Sequence, residues 1–436
     1  MADSPAPDPF AAPPGAEAAP IGRNRQFRLL WTCMLVIGAG NSMLLAVAPP
    51  LVRELNLGDS SVGWIFSLSA LLWVLASPYW GRLSDNVGRK PTIALGLFAY
   101  SISMASFGTA VMLGQTGVLT GFALFVSLVL ARSIFGAFGS ASSPSAQAYI
   151  ADRTTTFERT AQLAGLSSAF AVGQAFGPGI CAWLTARYGA VFPIWMVGVL
   201  ALAASIAILL FLPERTAPRS KRQRASFKQS LALITDRRLS GYLIYGFVLS
   251  IVAGVTVQVF GLFTMDRLHV SGAAGTQLIS YGFMANALAL LLTQLVVLPR
   301  LNMGPRSFMI WGAGLSAAAV VMQIFAPNLE MLLASQALQG LGAGLARPGF
   351  TGGASVAVAP HEQGAAAGLV VAVNGAGFIF SPLVGGVVYE HFGMNAPLVI
   401  TAAVLSFMLT FALMSRRLRD AAVAATAPPS EPTQPS

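Results

Sequence analysis

Charge is what this chain has least of. Only 10% of its 436 residues are Asp, Glu, Lys or Arg, against roughly 25% in an ordinary soluble domain. Hydrophobic residues make up 55%, and the mean hydropathy is +0.69. That is more apolar surface than a water-facing fold can bury, so the solvent must be largely lipid. Cysteine is nearly absent: Cys33 and Cys181 are the whole supply, each inside an apolar run. This excludes a disulfide framework and leaves core packing as their expected role. No G-x-x-x-x-G-K stretch occurs, which argues against a phosphate-cradling loop and direct drive by ATP. No metal-ligand or nucleophile constellation stands out, so no metal, no cofactor and no enzymatic activity are expected. The start of the chain lacks a continuous apolar region. Residues 1–27, rich in Pro and Ala, are expected to form a disordered tail and not a signal peptide.

Long apolar runs are there in abundance. Twelve are expected to cross a membrane, at 28–52, 61–80, 91–113, 119–149, 160–184, 190–212, 240–265, 275–299, 306–326, 329–358, 364–388 and 394–415. A spanning helix takes about 20 residues. The net charge of +10 suggests nucleic acid until the basic residues are placed. Only Arg53, Arg187 and Arg267 fall in one set of alternate loops, and Arg132 and Arg347 fall inside spans. The remaining Lys and Arg lie in the other loops and the tails. By the positive-inside rule that set is cytoplasmic, both termini included, and no nucleic-acid partner is expected. The expected organisation is a cytoplasmic tail 1–27, a six-helix bundle 28–212, a basic cytoplasmic linker 213–239, a second bundle 240–415 and a tail 416–436. The linker holds Arg215, Arg219, Lys221, Arg222, Arg224, Lys228, Arg237 and Arg238. The two bundles repeat each other at a constant offset: Gly136 pairs with Gly340, Pro144 with Pro348, Glu158 with Glu362, Gly173 with Gly377, Pro178 with Pro382 and Gly189 with Gly393.

Between the second and third spans stands Gly81-Arg82-Leu83-Ser84-Asp85-Asn86-Val87-Gly88-Arg89-Lys90, expected to be a tight charged turn. Gly81, Leu83, Asp85, Gly88, Arg89 and Lys90 occupy the fixed places of G-x-L-x-D-x-x-G-R-[RK]. The segment resembles the cytoplasmic loop signature of the major facilitator superfamily. That resemblance implies an all-α membrane protein with twelve transmembrane helices in two pseudo-symmetric six-helix bundles. Gly81 leaves room for a neighbouring helix, and Gly88 can adopt a backbone conformation that other residues avoid. By the same resemblance, Asp85 faces the start of the eleventh helix and latches the cytoplasmic side shut. Arg89 with Asp152, and Asp85 with Arg82 or Arg159, are expected gate pairs. Asp152 and Glu158-Arg159 themselves resemble the family's D-x-x-x-x-x-E-R loop. The counterpart in the second half, Pro299 to Arg306, has no acid, so the latch is asymmetric.

Two further signatures lie inside helices. Arg132 to Gly139 resembles the fourth-helix pattern R-x-x-x-G-x-x-G of proton-coupled members, which implies a coupling role for Arg132, with Asp85. Gly173, Gly177 and Pro178 resemble the antiporter pattern of the fifth helix, although Cys181-Ala182 replaces its last two glycines. The G-x-x-x-G spacing puts two bare backbone patches on one face. No Asp or Glu is placed at depth, so Arg132 and Arg347 have no acidic partner there. A cavity of positive potential is expected, suited to neutral or anionic substrates. Its expected lining is Asn41, Arg132, Gln174, Gln258, Asn286, Gln336, Gln339, Arg347 and Asn374. The reading these features support is a proton-coupled exporter of small amphipathic compounds in the multidrug and tetracycline-type branch. Its expected partners are a small-molecule substrate, protons and the lipid bilayer. It is expected as a monomer in a bacterial inner membrane. The alternatives are an exporter of an endogenous metabolite such as a siderophore or opine metallophore, a proton-coupled importer of an organic anion, and a non-transporting sensor.

Overall fold

A computed structural model of the chain describes residues 21–154, 156–214, 233, 235–301, 303–359 and 362–415. Most of the basic linker and the bulk of both tails lie outside the described residues. Twelve long helices run through the rest: α1 Ile21–Glu54, α2 Ser60–Val87, α3 Arg89–Gln115, α4 Gly121–Ala151, α5 Thr156–Tyr188 and α6 Val191–Phe211, then α7 Arg237–Leu268, α8 Gly272–Arg300, α9 Pro305–Ile324, α10 Leu329–Val356, α11 Gln363–Phe392 and α12 Ala396–Met414. This is an all-α membrane fold. Eleven of the helices are long and apolar enough to span a bilayer. The exception, α10, carries Gln336, Gln339 and many glycines, and these are buried against neighbouring helices, not offered to lipid.

Two helices break where proline demands it. In α4 a 3₁₀ turn at Gly139–Ala141 precedes Pro144. Proline has no N–H to continue the ladder, and its ring crowds the carbonyl four residues back. In α8 the π-helical stretch Thr293–Val297 and a 3₁₀ turn, Leu298–Arg300, surround Pro299. The expected charged turn at 81–90 is corrected by the structure. α2 stays helical to Val87 and α3 begins at Arg89, so Gly88 alone makes the corner, with φ of 112°. A side chain would be strained there.

Lipid gives apolar helices no hydrophobic reason to associate, so close backbone packing at small residues has to do it. The repeat seen in the sequence recurs as repeated contact. A Cβ on Gly136 would lie 2.3 Å from the Ser69 carbonyl oxygen, and one on Gly340 would lie 2.1 Å from that of Asn286. Gly173 abuts the Leu35 carbonyl on α1, and Gly377 abuts Ser250 and Ile251 on α7. Gly189 and Gly393 both turn corners at positive φ. Each half has its own buried core, one drawn from residues between Leu30 and Leu212, the other from residues between Leu233 and Ala412. A small third cluster joins the halves: Ala46 of α1 with Phe260, Met265 and Ile279 of α7 and α8. Cys33 and Cys181 are buried and free.

Candidate functional site

The two ends of the bundle are built differently. The end where α1 begins and α12 stops is called the terminal end, and the opposite end the far end. At the far end α2 and α11 touch. Gly63 faces the Pro382 backbone, where a Cβ would lie 2.4 Å from the carbonyl oxygen, and a Cβ on Gly386 would approach Ser60 to 3.2 Å. Five whole turns towards the terminal end, on the same faces of the same helices, stand Gly81 and Gly368. Neither has anything within 4 Å of its Cβ position. α2 and α11 therefore splay apart, closed at the far end and open at the terminal end. The expectation that Gly81 lets a neighbouring helix approach is not met in this conformation.

Polar bonds across the halves reinforce the far end. Arg53, at the end of α1, donates to Asp59 at 2.8 and 2.7 Å and to Asp266 of α7 at 2.5 and 3.0 Å. Tyr389 of α11 donates to the same Asp266 at 2.5 Å. The Ser60 backbone N–H donates to Glu390 at 2.7 Å. Sequence reasoning assigned Arg53 only to a loop and missed Tyr389. Their signal, one basic and one phenolic residue at opposite span ends, means nothing until the halves are superposed.

The bonds described at the terminal end stay within a half. Arg89 pairs with Asp85 at 2.5 Å and with Asp152 at 3.1 Å, and donates to the Ser84 hydroxyl at 2.6 Å. The Arg89–Asp152 pair matches the expectation. Asp85 is paired with Arg89 one turn along, whereas Arg82 donates to the Pro78 carbonyl. Asp85 therefore braces the corner of its own half, and the side chains of residues 363–365, which open α11, lie outside the described residues. Glu214, which sequence reasoning missed, accepts from the backbone N–H groups of Arg89 and Lys90 at 3.3 and 2.7 Å. It supplies the negative charge that the start of α3 favours. In the second half Asp236 caps α7, and Arg238 bridges Asp236 to Glu362. Hydrogen bonds from Arg238 hold the Asp236 carboxyl below the usual carboxylate range. Glu158 and Arg159 open α5, but their side chains lie outside the described residues.

Just on the terminal side of the far-end seal, between the halves, is a cavity of about 230 Å³. The first half contributes Asn41, Phe66, Ser69, Trp73, Arg132 and Phe135, and the second Gly254, Gln258, Phe378 and Pro382. Arg132 does not snorkel: it is 4% exposed. It donates to Asn41 Oδ1 at 2.5 Å, and its guanidinium lies over the rings of Phe135 and Phe66 at 4.5 and 5.4 Å. Of the nine residues expected to line the cavity, Asn41, Arg132 and Gln258 do so. Gln336 and Gln339 are buried in the second half, Asn286 donates to the Gln336 carbonyl, and Asn374 accepts from Ser250 at 2.8 Å. Asn286 and Asn374 thus bond between helices, as an amide in lipid surroundings favours, while Gln336 Nε2 and Gln339 Oε1 are buried without a hydrogen-bond partner. Gln174 is exposed on α5, outside the cavity wall. Arg347 is also exposed, on the side of α10 away from α9, and is not among the residues lining this cavity. Gly173 and Gly177 pack on α1 as the spacing predicts, against Leu35 and Ala39. The aromatic wall was missed, since no rule tells which ring of an apolar run faces inward.

Over residues 30–301 and 276–435 the sequence matches the Major Facilitator Superfamily. The chain belongs to that superfamily. It is a transporter by family and an integral, multi-pass membrane protein. It is 27% identical over 376 residues to multidrug resistance protein 2 of Bacillus subtilis, covering 84% of this chain and 88% of that one. It is 25% identical over 400 residues to multidrug resistance protein MdtG of Proteus mirabilis, covering 89% and 95%. Among solved structures it resembles a bacterial homologue of the human lysosomal transporter Spinster in an inward-facing, occupied conformation. That match has a TM-score of 0.71 and 14% identity, over 94% of this chain and 99% of that one. The human organic anion transporter MFSD10 gives a TM-score of 0.63 at 19% identity, over 90% and 100%.

Proposed function

We propose that this superfamily member exports small amphipathic compounds across a bacterial inner membrane in exchange for protons, by alternating access. The observation that carries the reading is the wedge between the halves. A central cavity lies beneath a far end sealed by Arg53, Asp266 and Tyr389, while the paired glycines Gly81 and Gly368 stand apart. With both termini in the cytoplasm, as the distribution of basic residues favours, this is the inward-facing state, loading from the cytoplasm or the inner leaflet. The transport cycle then breaks the Arg53–Asp266 link and brings Gly81 against Gly368. The relatives named for multidrug resistance favour efflux over uptake. Arg132 and Asp85 are the residues assigned to coupling, on motif resemblance, and the carrier is taken to work as a monomer.

Transport by purified protein in proteoliposomes under an imposed pH gradient tests the reading. Uphill substrate movement driven by the gradient, abolished when the gradient is collapsed, is the expected result. Uphill movement that persists after collapse rules out proton coupling. The absence of any flux leaves the sensor alternative standing.

A further inference from the structure

Most polar atoms around the central cavity are already bonded to protein. Asn41 donates its Nδ2 to the Ile37 carbonyl at 3.0 Å and accepts from Arg132 on its Oδ1. Ser69 donates to the Arg132 carbonyl at 3.1 Å. What is left over is the Nε and Nη1 of Arg132, whose neighbouring Tyr100 hydroxyl is itself buried and without a geometric hydrogen bond, and the Nε2 of Gln258. One half supplies the guanidinium and the other the amide. Buried polar groups are nearly always satisfied, and the donors of a charged group are the most costly to leave unmatched. An amide can turn to present either of its ends, so Gln258 does not set the sign of a ligand. Arg132 does, because a guanidinium only donates and stays charged. Among the described residues no Asp or Glu lines the cavity to neutralise it.

The remaining wall is apolar and aromatic. Phe66 and Phe135 lie against the Arg132 guanidinium, with ring centroids 5.4 and 4.5 Å from its Cζ, while Trp73 and Phe378 line the cavity from α2 and α11. At about 230 Å³ the space sits below the common range for drug-sized ligands, roughly 300–1,000 Å³. It suits one or two fused rings. Resting on the exporter reading above, we propose that this cavity selects small aromatic compounds bearing a single carboxylate. Arg132 holds the carboxylate, Gln258 sets its register, and compounds whose only charge is positive are rejected.

The test is binding of three isosteric probes to the purified full-length protein in nanodiscs, by calorimetry: naphthoate, naphthamide and naphthylmethylammonium. Naphthoate is expected to bind at least about tenfold tighter than the ammonium compound, the size of a hydrogen bond to a charged group. Arg132→Gln should bring naphthoate down to the level of naphthamide, Arg132→Lys should keep the anion preference, and Gln258→Leu should weaken naphthoate without reversing it. The proposal is overturned if naphthoate does not bind, if the cation binds as well as the anion, or if Arg132→Gln weakens all three alike. Where Arg132→Gln fails to fold, the wild-type comparison and Arg132→Lys still decide. Flux separates this assignment from the exporter reading. Anion-selective binding without transport keeps the cavity assignment and removes the exporter. Transport of all three probes at equal affinity keeps the exporter and removes the cavity assignment.

Discussion

The far end and the terminal end of this bundle use the same two helices and opposite tactics. At the far end α2 and α11 meet backbone to backbone at Gly63 and Pro382, and charged groups bond from one half to the other. At the terminal end the bonds described stitch each half to itself: Arg89 to Asp152, Glu214 to the start of α3, Arg238 to Glu362. Among the described bonds, one end is a seam between halves, and the other is two separately braced halves. A carrier needs rigid halves and a breakable seam, because packed interfaces switch between discrete arrangements and do not stretch. The family's loop signature belongs to the bracing here. Its Asp85 and Arg89 hold one corner rigid, while its Gly81 keeps a bare face for the other state.

The widest difference should come from placing the same side chain on the two glycines of one α2 face. Gly63→Leu forces a Cβ onto the Pro382 carbonyl and should cost about 1–3 kcal/mol, read as a lower melting temperature in detergent. Gly81→Leu meets nothing here and should change stability by less than about 0.5 kcal/mol, yet abolish flux in proteoliposomes by blocking closure. Equal melting losses in the two variants would erase the contrast between the ends. Next comes Arg53→Ala, which leaves Asp266 and Asp59 without their shared cation. For a partly exposed pair we expect a shift of about 1–2 kcal/mol towards far-end opening. Thiol labelling at Met265→Cys, a site buried in the inter-half cluster, should then speed up roughly tenfold. Unchanged labelling means the seam is held by packing alone.

Smaller effects are expected within the braced halves. Glu214→Gln removes the anion at the start of α3 and should cost about 0.3–1 kcal/mol, with far-end labelling unaffected. A change in far-end labelling would couple the two ends more directly than the structure suggests. Smallest is the Asp236 cap. Arg238 lowers its carboxyl pKa, so the folded state favours the ionised form. Its contribution is present above the ordinary value of 3.8 and is lost as the pH falls below that value. At such an exposed site it is worth a few tenths of a kcal/mol. Asp236→Asn should flatten that part of the stability profile, and a profile unchanged by the substitution removes the cap from the account.

The fold was largely legible without coordinates. Runs of about twenty apolar residues mark spans because lipid satisfies no backbone group, and the glycine and proline pairs at constant offset mark the repeat. Even so, α10 passes as a span more by its position in the repeat than by hydropathy, since its polar residues are buried against protein. The site was legible in part. Arg132 stood out because a charge at membrane depth must have a reason, and Asn41 and Gln258 were found as polar residues in apolar runs. The same rule also gathered Gln336, Gln339, Asn286 and Asn374, which it cannot tell from cavity residues, because interhelical packing and ligand binding ask for the same amides.

The sequence by itself determined the solvent, the number of helices, the twofold repeat and the family, because each follows from local composition or from spacing along one strand of chain. Only the tertiary structure decided which residues from opposite halves meet. Arg53, Asp59, Asp266 and Tyr389 form the far-end seam, Arg132 and Gln258 face one cavity, and Gly81 stands open while Gly63 is closed. Those meetings depend on how two rigid bundles lean on one another, and no short-range rule along the chain carries that angle.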